Sequence, residues 1–231
     1  MRAWLIGLLL ILSTPVWATS DYAREKKWAD EITPGIVVGD PVYIAQPNGH
    51  PFLAIYTEAP KAKMGVIVVH GMGIHPDWGM VGTLRTDLAD RGFATLSIQM
   101  PVLPNEATVK EYIPLIKEAG PRIQAATAFL KSKNIEPQVI IAHSLGAAMT
   151  SATLAEHGDL GLRGFIAIGM SGSDADPQLD TPVQLQKVKL PILDIYGSRD
   201  LDSVLDAVPA RAAAMRKAGN TQYRQLEITG A

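Results

Sequence analysis

Val139-Ile140-Ile141-Ala142-His143-Ser144-Leu145-Gly146-Ala147-Ala148-Met149 decides the fold of this 231-residue chain. An apolar run gives way to small residues, which reads as strand, sharp turn and helix with Ser144 at the apex. Such a turn demands small residues two before and two after the serine. Gly146 meets that demand fully, and Ala142 stands where a glycine is more usual. The pattern is a nucleophile elbow. It lifts the serine oxygen clear of the sheet and places Leu145 N–H at a helix N-terminus, where it could help hold a developing oxyanion. Ser-x-x-Gly alone arises by chance, for example as a helix N-cap; the strand before it and the helix after it set this case apart.

A second motif lies upstream. Val66-Ile67-Val68-Val69-His70-Gly71-Met72-Gly73 is another apolar strand run, ending in His-Gly-x-Gly. Gly71 and Gly73 would let backbone N–H groups approach a substrate oxygen closely. The plain alternative is a tight strand-to-loop turn without chemistry. With both motifs in place the chain resembles an α/β-hydrolase from about Val42 onward. The stretch His70-Gly71-Met72-Gly73-Ile74-His75-Pro76-Asp77-Trp78 is similar to exported bacterial hydrolase-like proteins of unknown function. The resemblance implies Ser144 as nucleophile and an oxyanion hole at the N–H groups of Met72 and Leu145. It also implies an acid after a late strand, a histidine after the last strand, and His70 bracing the oxyanion loop.

Outward from these motifs, strands and helices alternate. Val42-Tyr43-Ile44 and Phe52 to Tyr56 flank Asn48-Gly49 and suggest a hairpin-like pair. Strands are expected at Val66 to Val69, Phe93 to Ile98, Val139 to Ile141, Phe165 to Ile168, Ile192 to Tyr196 and from Tyr223. Helices are expected at Val81 to Arg91, within Pro114 to Lys133 with a fresh start at Pro121, at Leu145 to His157 and at Ser203 to Ala218. Asp21 to Glu31 reads as a surface helix or arm. The alternation implies a mainly parallel sheet with helices on both faces, its last strand and helix incomplete. Ligands bind such sheets at the carboxyl ends of strands, and Met72, Ser144 and Asp200 all fall there. Met100 to Tyr112 and Ser171 to Lys189 are loops that either cover the site or run over the surface.

Composition narrows the function classes. The chain is 47% hydrophobic with a net charge of −2, which offers no basic surface for nucleic acid. It contains no cysteine, excluding disulfides, thiolate metal sites, a cysteine nucleophile and a lipid-anchored cysteine. No metal cluster, phosphate-binding glycine loop or cofactor motif is present, so no cofactor is expected, and the expected partner is a small-molecule acyl substrate. Residues 1–18 read as a secretory signal: Arg2, the apolar core Leu5 to Leu12, the break at Thr14-Pro15 and a cleavage site after Val16-Trp17-Ala18. That core falls well short of the roughly 20 apolar residues of a spanning helix. The expectation is export, to the periplasm of a Gram-negative source, with no stable membrane anchor, and one domain over residues 19–231.

Serine attacks a carbonyl well only when a base takes its proton and a carboxylate orients that base. Asp200, in Ile195-Tyr196-Gly197-Ser198-Arg199-Asp200, is the acid candidate; it could instead start the following helix or pair with Arg199. Asp202 is weaker, and Asp194, inside a strand, suits a structural hydrogen bond. The base is missing. His50, His70, His75, His143 and His157 all precede Asp200, whereas the fold orders serine, acid, histidine. The chain stops at Leu226-Glu227-Ile228-Thr229-Gly230-Ala231, about where that histidine would come, and so reads as truncated. His143 is expected to turn away from Ser144 into a hydrogen-bonded structural role. His75 is the nearest substitute, approaching from the oxyanion side. Three readings follow: a serine hydrolase of esters or related acyl bonds, a non-catalytic binding protein, or a broken gene product. Met72, Met80, Met100, Met149 and Met170 either form a flexible acyl pocket or scatter through the core. Trp78 either walls the pocket or packs its loop.

Overall fold

The computed structural model describes residues 19–172 and 176–231; the expected signal segment, 1–18, lies outside the described residues. Eight strands form one sheet: β1 (Asp40–Ile44), β2 (Phe52–Thr57), β3 (Gly65–Val69), β4 (Ala94–Ile98), β5 (Gln138–His143), β6 (Leu162–Ile168), β7 (Ile192–Gly197) and β8 (Tyr223–Ile228). Their order is β1-β2-β4-β3-β5-β6-β7-β8. The β1–β2 hairpin pairs antiparallel and joins β4 antiparallel; every other pairing is parallel. The helices are α1 (Tyr22–Ile32), α2 (Gly79–Asp90), α3 (Ile116–Ser132), α4 (Leu145–His157), α5 (Thr181–Leu185), α6 (Asp202–Leu205) and α7 (Ala207–Lys217). This is the α/β-hydrolase fold, as expected.

The two-residue alternation of the strands divides the core. On β3, Ile67 and Val69 join the larger apolar cluster beneath α3 and α4, while Val66 and Val68 meet Val81, Leu84 and Leu88 of α2 on the opposite face. β3, central and covered on both faces, is buried along its whole length. From Leu145 to Leu154 every residue of α4 is buried. Its run of Gly146, Ala147, Ala148 and Ala152 lets the helix lie close to the sheet, which fixes the height of the serine at its start.

Three local expectations change. Of the surface helix or arm expected over Asp21 to Glu31 the helix forms, and it is anchored: Glu25 and Ala29 are buried, and Asp21 caps the helix by accepting from Arg24 N–H at 3.0 Å. Just before it, buried Ser20 donates its N–H to Glu118 at 3.1 Å, and its Oγ accepts from Val102 N–H at 2.7 Å. Pro121 lies inside α3 rather than starting a helix; as the sixth residue of that helix it leaves the ladder one N–H short without ending it. The helix expected over Ser203 to Ala218 divides into α6 and α7. Pro209 cannot donate to Leu205, the last residue of α6, so the ladder breaks there.

Candidate active site

Ser144 holds φ 52° and ψ −126°, a conformation that L-residues rarely adopt. Such a backbone costs of order 1–3 kcal/mol and persists only when its surroundings enforce it. Here they do. Ser144 N–H donates to Ile168 O at the end of β6, 2.9 Å away, and Ser144 O accepts from Ala147 N–H at 2.9 Å. A Cβ on Gly146 would collide with His70 O and come within 2.9 Å of Val69 Cγ1. A Cβ on Gly71 would stand 3.1 Å from both His143 Nδ1 and Ser144 Cβ. The two glycines therefore press the His70 loop onto the elbow.

His70 braces that loop. It is fully buried; its Nδ1–H donates to Gly71 O at 2.7 Å, and its Nε2 accepts from Met100 N–H at 2.9 Å. The Gln99 amide nitrogen lies 2.9 Å from the same Nε2 and donates to Met100 O at 2.8 Å. Burial pushes the His70 pKa down to about 3, so the ring is neutral and this bonding pattern fixes its tautomer. Behind it, buried Arg122 donates to Gln99 O at 3.0 Å and pairs with Glu25 at 2.9 Å and with Glu118. Sequence reasoning did not find this cluster; an arginine and a glutamate on separate helices carry no local sign that they meet.

Met72 follows the loop, and Gly73 turns the chain with φ +69°. Leu145 is the first residue of α4, where N–H groups have no intrahelical partner. Met72 and Ser144 line one cleft of 380 Å³ with Gly71, Ile74, Trp78 and His143. A second cavity of 210 Å³ borders Leu145 and Ala148 and takes Val109, Ser171 and Leu179 from the two expected covering loops. Met72 and Met80 line the cleft, while Met100, Met149 and Met170 are buried core residues.

Asp200 follows β7. Its carboxylate accepts from Gly197 N–H at 3.3 Å and Leu201 N–H at 2.9 Å. A Cβ on Gly169, just past β6, would lie 3.2 Å from Asp200 Oδ2, so the carboxylate faces the strand end beside Ser144. Asp202 is exposed at the start of α6. Asp194 is fully buried and accepts from Arg211 Nε at 2.8 Å, Tyr223 Oη at 2.6 Å and Gln225 at 3.2 Å. That is the structural role expected of it. At the end of β8, Ala231 O accepts from Arg199 N–H at 2.7 Å, one residue from Asp200.

The histidines divide differently from expectation. His143 lines the cleft with Ser144. Burial lowers its pKa, opposed by the charge of Asp200. His75 does not line the cleft: its ring stands edge-on to Trp28 at 5.7 Å and Trp78 at 5.6 Å, and its Nδ1 accepts from Asp77 N–H at 3.3 Å. His50 stacks on Tyr22 at 3.6 Å, and His157 is exposed at the end of α4.

Comparison with known proteins agrees with this architecture. A family model described as "Protein of unknown function (DUF3530)" matches residues 40–115 and 115–230. No curated protein matches the chain. Among solved structures, a dienelactone hydrolase from Anabaena variabilis is similar at 22% identity and a TM-score of 0.64, covering 84% of this chain and 86% of its own. The esterase domain of a Rhodothermus marinus protein is similar at 16% identity and a TM-score of 0.59, covering 83% and 88%. A butyrate-bound Thermogutta terrifontis esterase is similar at 12% identity and a TM-score of 0.65, covering 84% of each. At these identities the likeness is one of fold.

Proposed function

The chain belongs to the DUF3530 family of proteins of unknown function, and for this member we propose a serine hydrolase acting on an ester or related acyl bond. Ser144 Oγ attacks the carbonyl carbon and passes its proton to an imidazole. The N–H groups of Met72 and Leu145 hold the oxyanion. The intermediate collapses to an acyl-serine as the leaving alcohol takes the proton back, and water repeats the sequence to release the acid. Asp200 orients the imidazole, which comes from a histidine downstream of residue 231. The contact of Ala231 with the Asp200 turn supports that placement. The chain is exported after cleavage behind Ala18, to the periplasm of a Gram-negative source; N-terminal sequencing that reads Thr19-Ser20 bears this out, and an intact residue 1 sinks it.

One observation carries the proposal: the strained Ser144 apex, clamped against the His70 loop by a contact that only glycine permits at 146 and by a close approach at Gly71. It is tested with a fluorophosphonate probe on a chain that includes the downstream residues. Labelling lost in Ser144→Ala is expected; labelling indifferent to Ser144 sinks the reading. Without the downstream histidine, turnover falls by about a million-fold, leaving roughly 10³–10⁴ over water from the oxyanion hole and binding. A second reading, binding without turnover, draws on the absence of any histidine after His157 in this sequence. Ester turnover abolished by Ser144→Ala would exclude it.

A further inference from the structure

Acyl transfer makes no use of the apolar rim of the cleft. Trp78 stands there 58% exposed, flanked by Met72 at 41% and Met80 at 43%. Large apolar side chains gathered in water at one spot mark a place that binds an apolar group. Trp78 is also held in place. The His75 ring meets it edge-on at 5.6 Å and 87°, Trp28 backs His75 at 5.7 Å, and the Arg24 guanidinium lies 4.4 Å over Trp28. Its backbone is pinned as well: Trp78 N–H donates to His75 O at 3.1 Å, and Trp78 O accepts from Val81 N–H at 3.1 Å. One side of the indole is thus braced from α1 while the rest stays open to the cleft, an arrangement that spends little ordering entropy when a ligand arrives.

We infer that the cleft is an aromatic-ring subsite, with Trp78 as its platform and the Met72 and Met80 thioethers against the ring, so that the substrates are esters bearing an aryl group. The ester part rests on the hydrolase reading; the ring site does not. An indole rewards a ring through stacked or edge-on geometry beyond area alone, and thioether sulfur has its own affinity for aromatic rings. A flexible alkyl chain collects only the area term and loses rotamer freedom.

The test titrates two non-hydrolysable ketones, 2-acetonaphthone and 2-decanone, into the Ser144→Ala chain by calorimetry. The naphthyl ketone is expected to bind about ten-fold more tightly. Trp78→Leu, which keeps apolar bulk without a flat face, removes that preference, and Trp78→Phe keeps most of it. Equal binding of the two ketones, or a preference that survives Trp78→Leu, overturns the inference. Because Ser144→Ala cannot turn over, the outcome is independent of hydrolysis. Ring preference intact alongside failed Ser144 labelling sinks the hydrolase reading alone, and the reverse pattern sinks the ring site alone.

Discussion

At Gly146 a methyl group has nowhere to go, because the His70 carbonyl and Val69 Cγ1 already occupy the space. Gly146→Ala is expected to cost about 1–3 kcal/mol by overpacking and to push the His70 loop off the elbow. Urea unfolding reads the first effect and loss of Ser144 labelling the second; a variant as stable and as reactive as the parent would refute the clamp. His70 gives a pH signature. Its folded pKa of about 3 lies below an unfolded value near 6.5. Between those values the unfolded chain binds a proton that the folded chain does not. Stability therefore falls as pH drops through that window, by up to about 1.4 kcal/mol per pH unit. His50, His75 and His143, also lowered, act in the same sense, so His70→Gln isolates the term. The gap between urea midpoints at pH 7 and pH 5 should narrow in the variant, and an unchanged gap would show that the folded protein protonates His70 freely. Ser144, Gly146 and His70 were legible in the sequence because each sits in a local motif. The place of His143 in the cleft and the indole cage around His75 were not, because packing from α1 and the strand ends decides them.

At the scale of elements, α1 shows what local reading misses. Its residues look solvated, being rich in charge, yet Glu25 reaches inward to Arg122, and Arg122 reaches Gln99, which holds His70. The partners are up to 97 residues apart, so no periodicity signals them. Removing one partner of a buried ion pair leaves the other uncompensated, at a cost of several kcal/mol. Because Arg122 keeps Glu118, Glu25→Ala is expected to cost about 3 kcal/mol and to free α1 first. Hydrogen exchange should then show residues 22–32 losing protection while β3 and β5 keep theirs. Uniform loss across the sheet would mean that α1 unfolds only with the whole. The extent of α4 was readable to the residue and that of β5 to within two, because apolar runs and small-residue helices announce themselves. The break at Pro209 was readable in principle from its missing N–H; the continuity through Pro121 was not, because burial of its neighbours Gly120, Arg122 and Ile123 holds the helix together.

Across the whole molecule, the two faces of the sheet are unequally covered. The face beneath α3, α4, α5 and α7 carries the large cluster, whereas the α2 face has four buried members, Val66, Val68, Val81 and Ile141. Beyond β5 that second face thins out. Ile166, Ile168, Leu193 and Ile195 are only partly buried, and Leu226 and Ile228 of β8 are 46% and 43% exposed. The register sets Leu226 beside Ile195, so these side chains form one continuous strip. β8 is also an edge strand whose outer backbone groups are unpaired within the sheet. The mainly parallel sheet followed from the alternation of elements in the sequence. This asymmetry did so only through the expectation that a covering helix is incomplete, since pattern shows which residues are apolar but not what lies over them. An apolar strip on an open edge favours association. Residues 19–231 are therefore expected to self-associate in sedimentation velocity. Leu226→Lys with Ile228→Lys should return them to monomer without loss of helical circular dichroism, because neither side chain contributes to the main core. A parent chain that stays monomeric at high concentration and melts cooperatively at high temperature would show that the strip is stable in water.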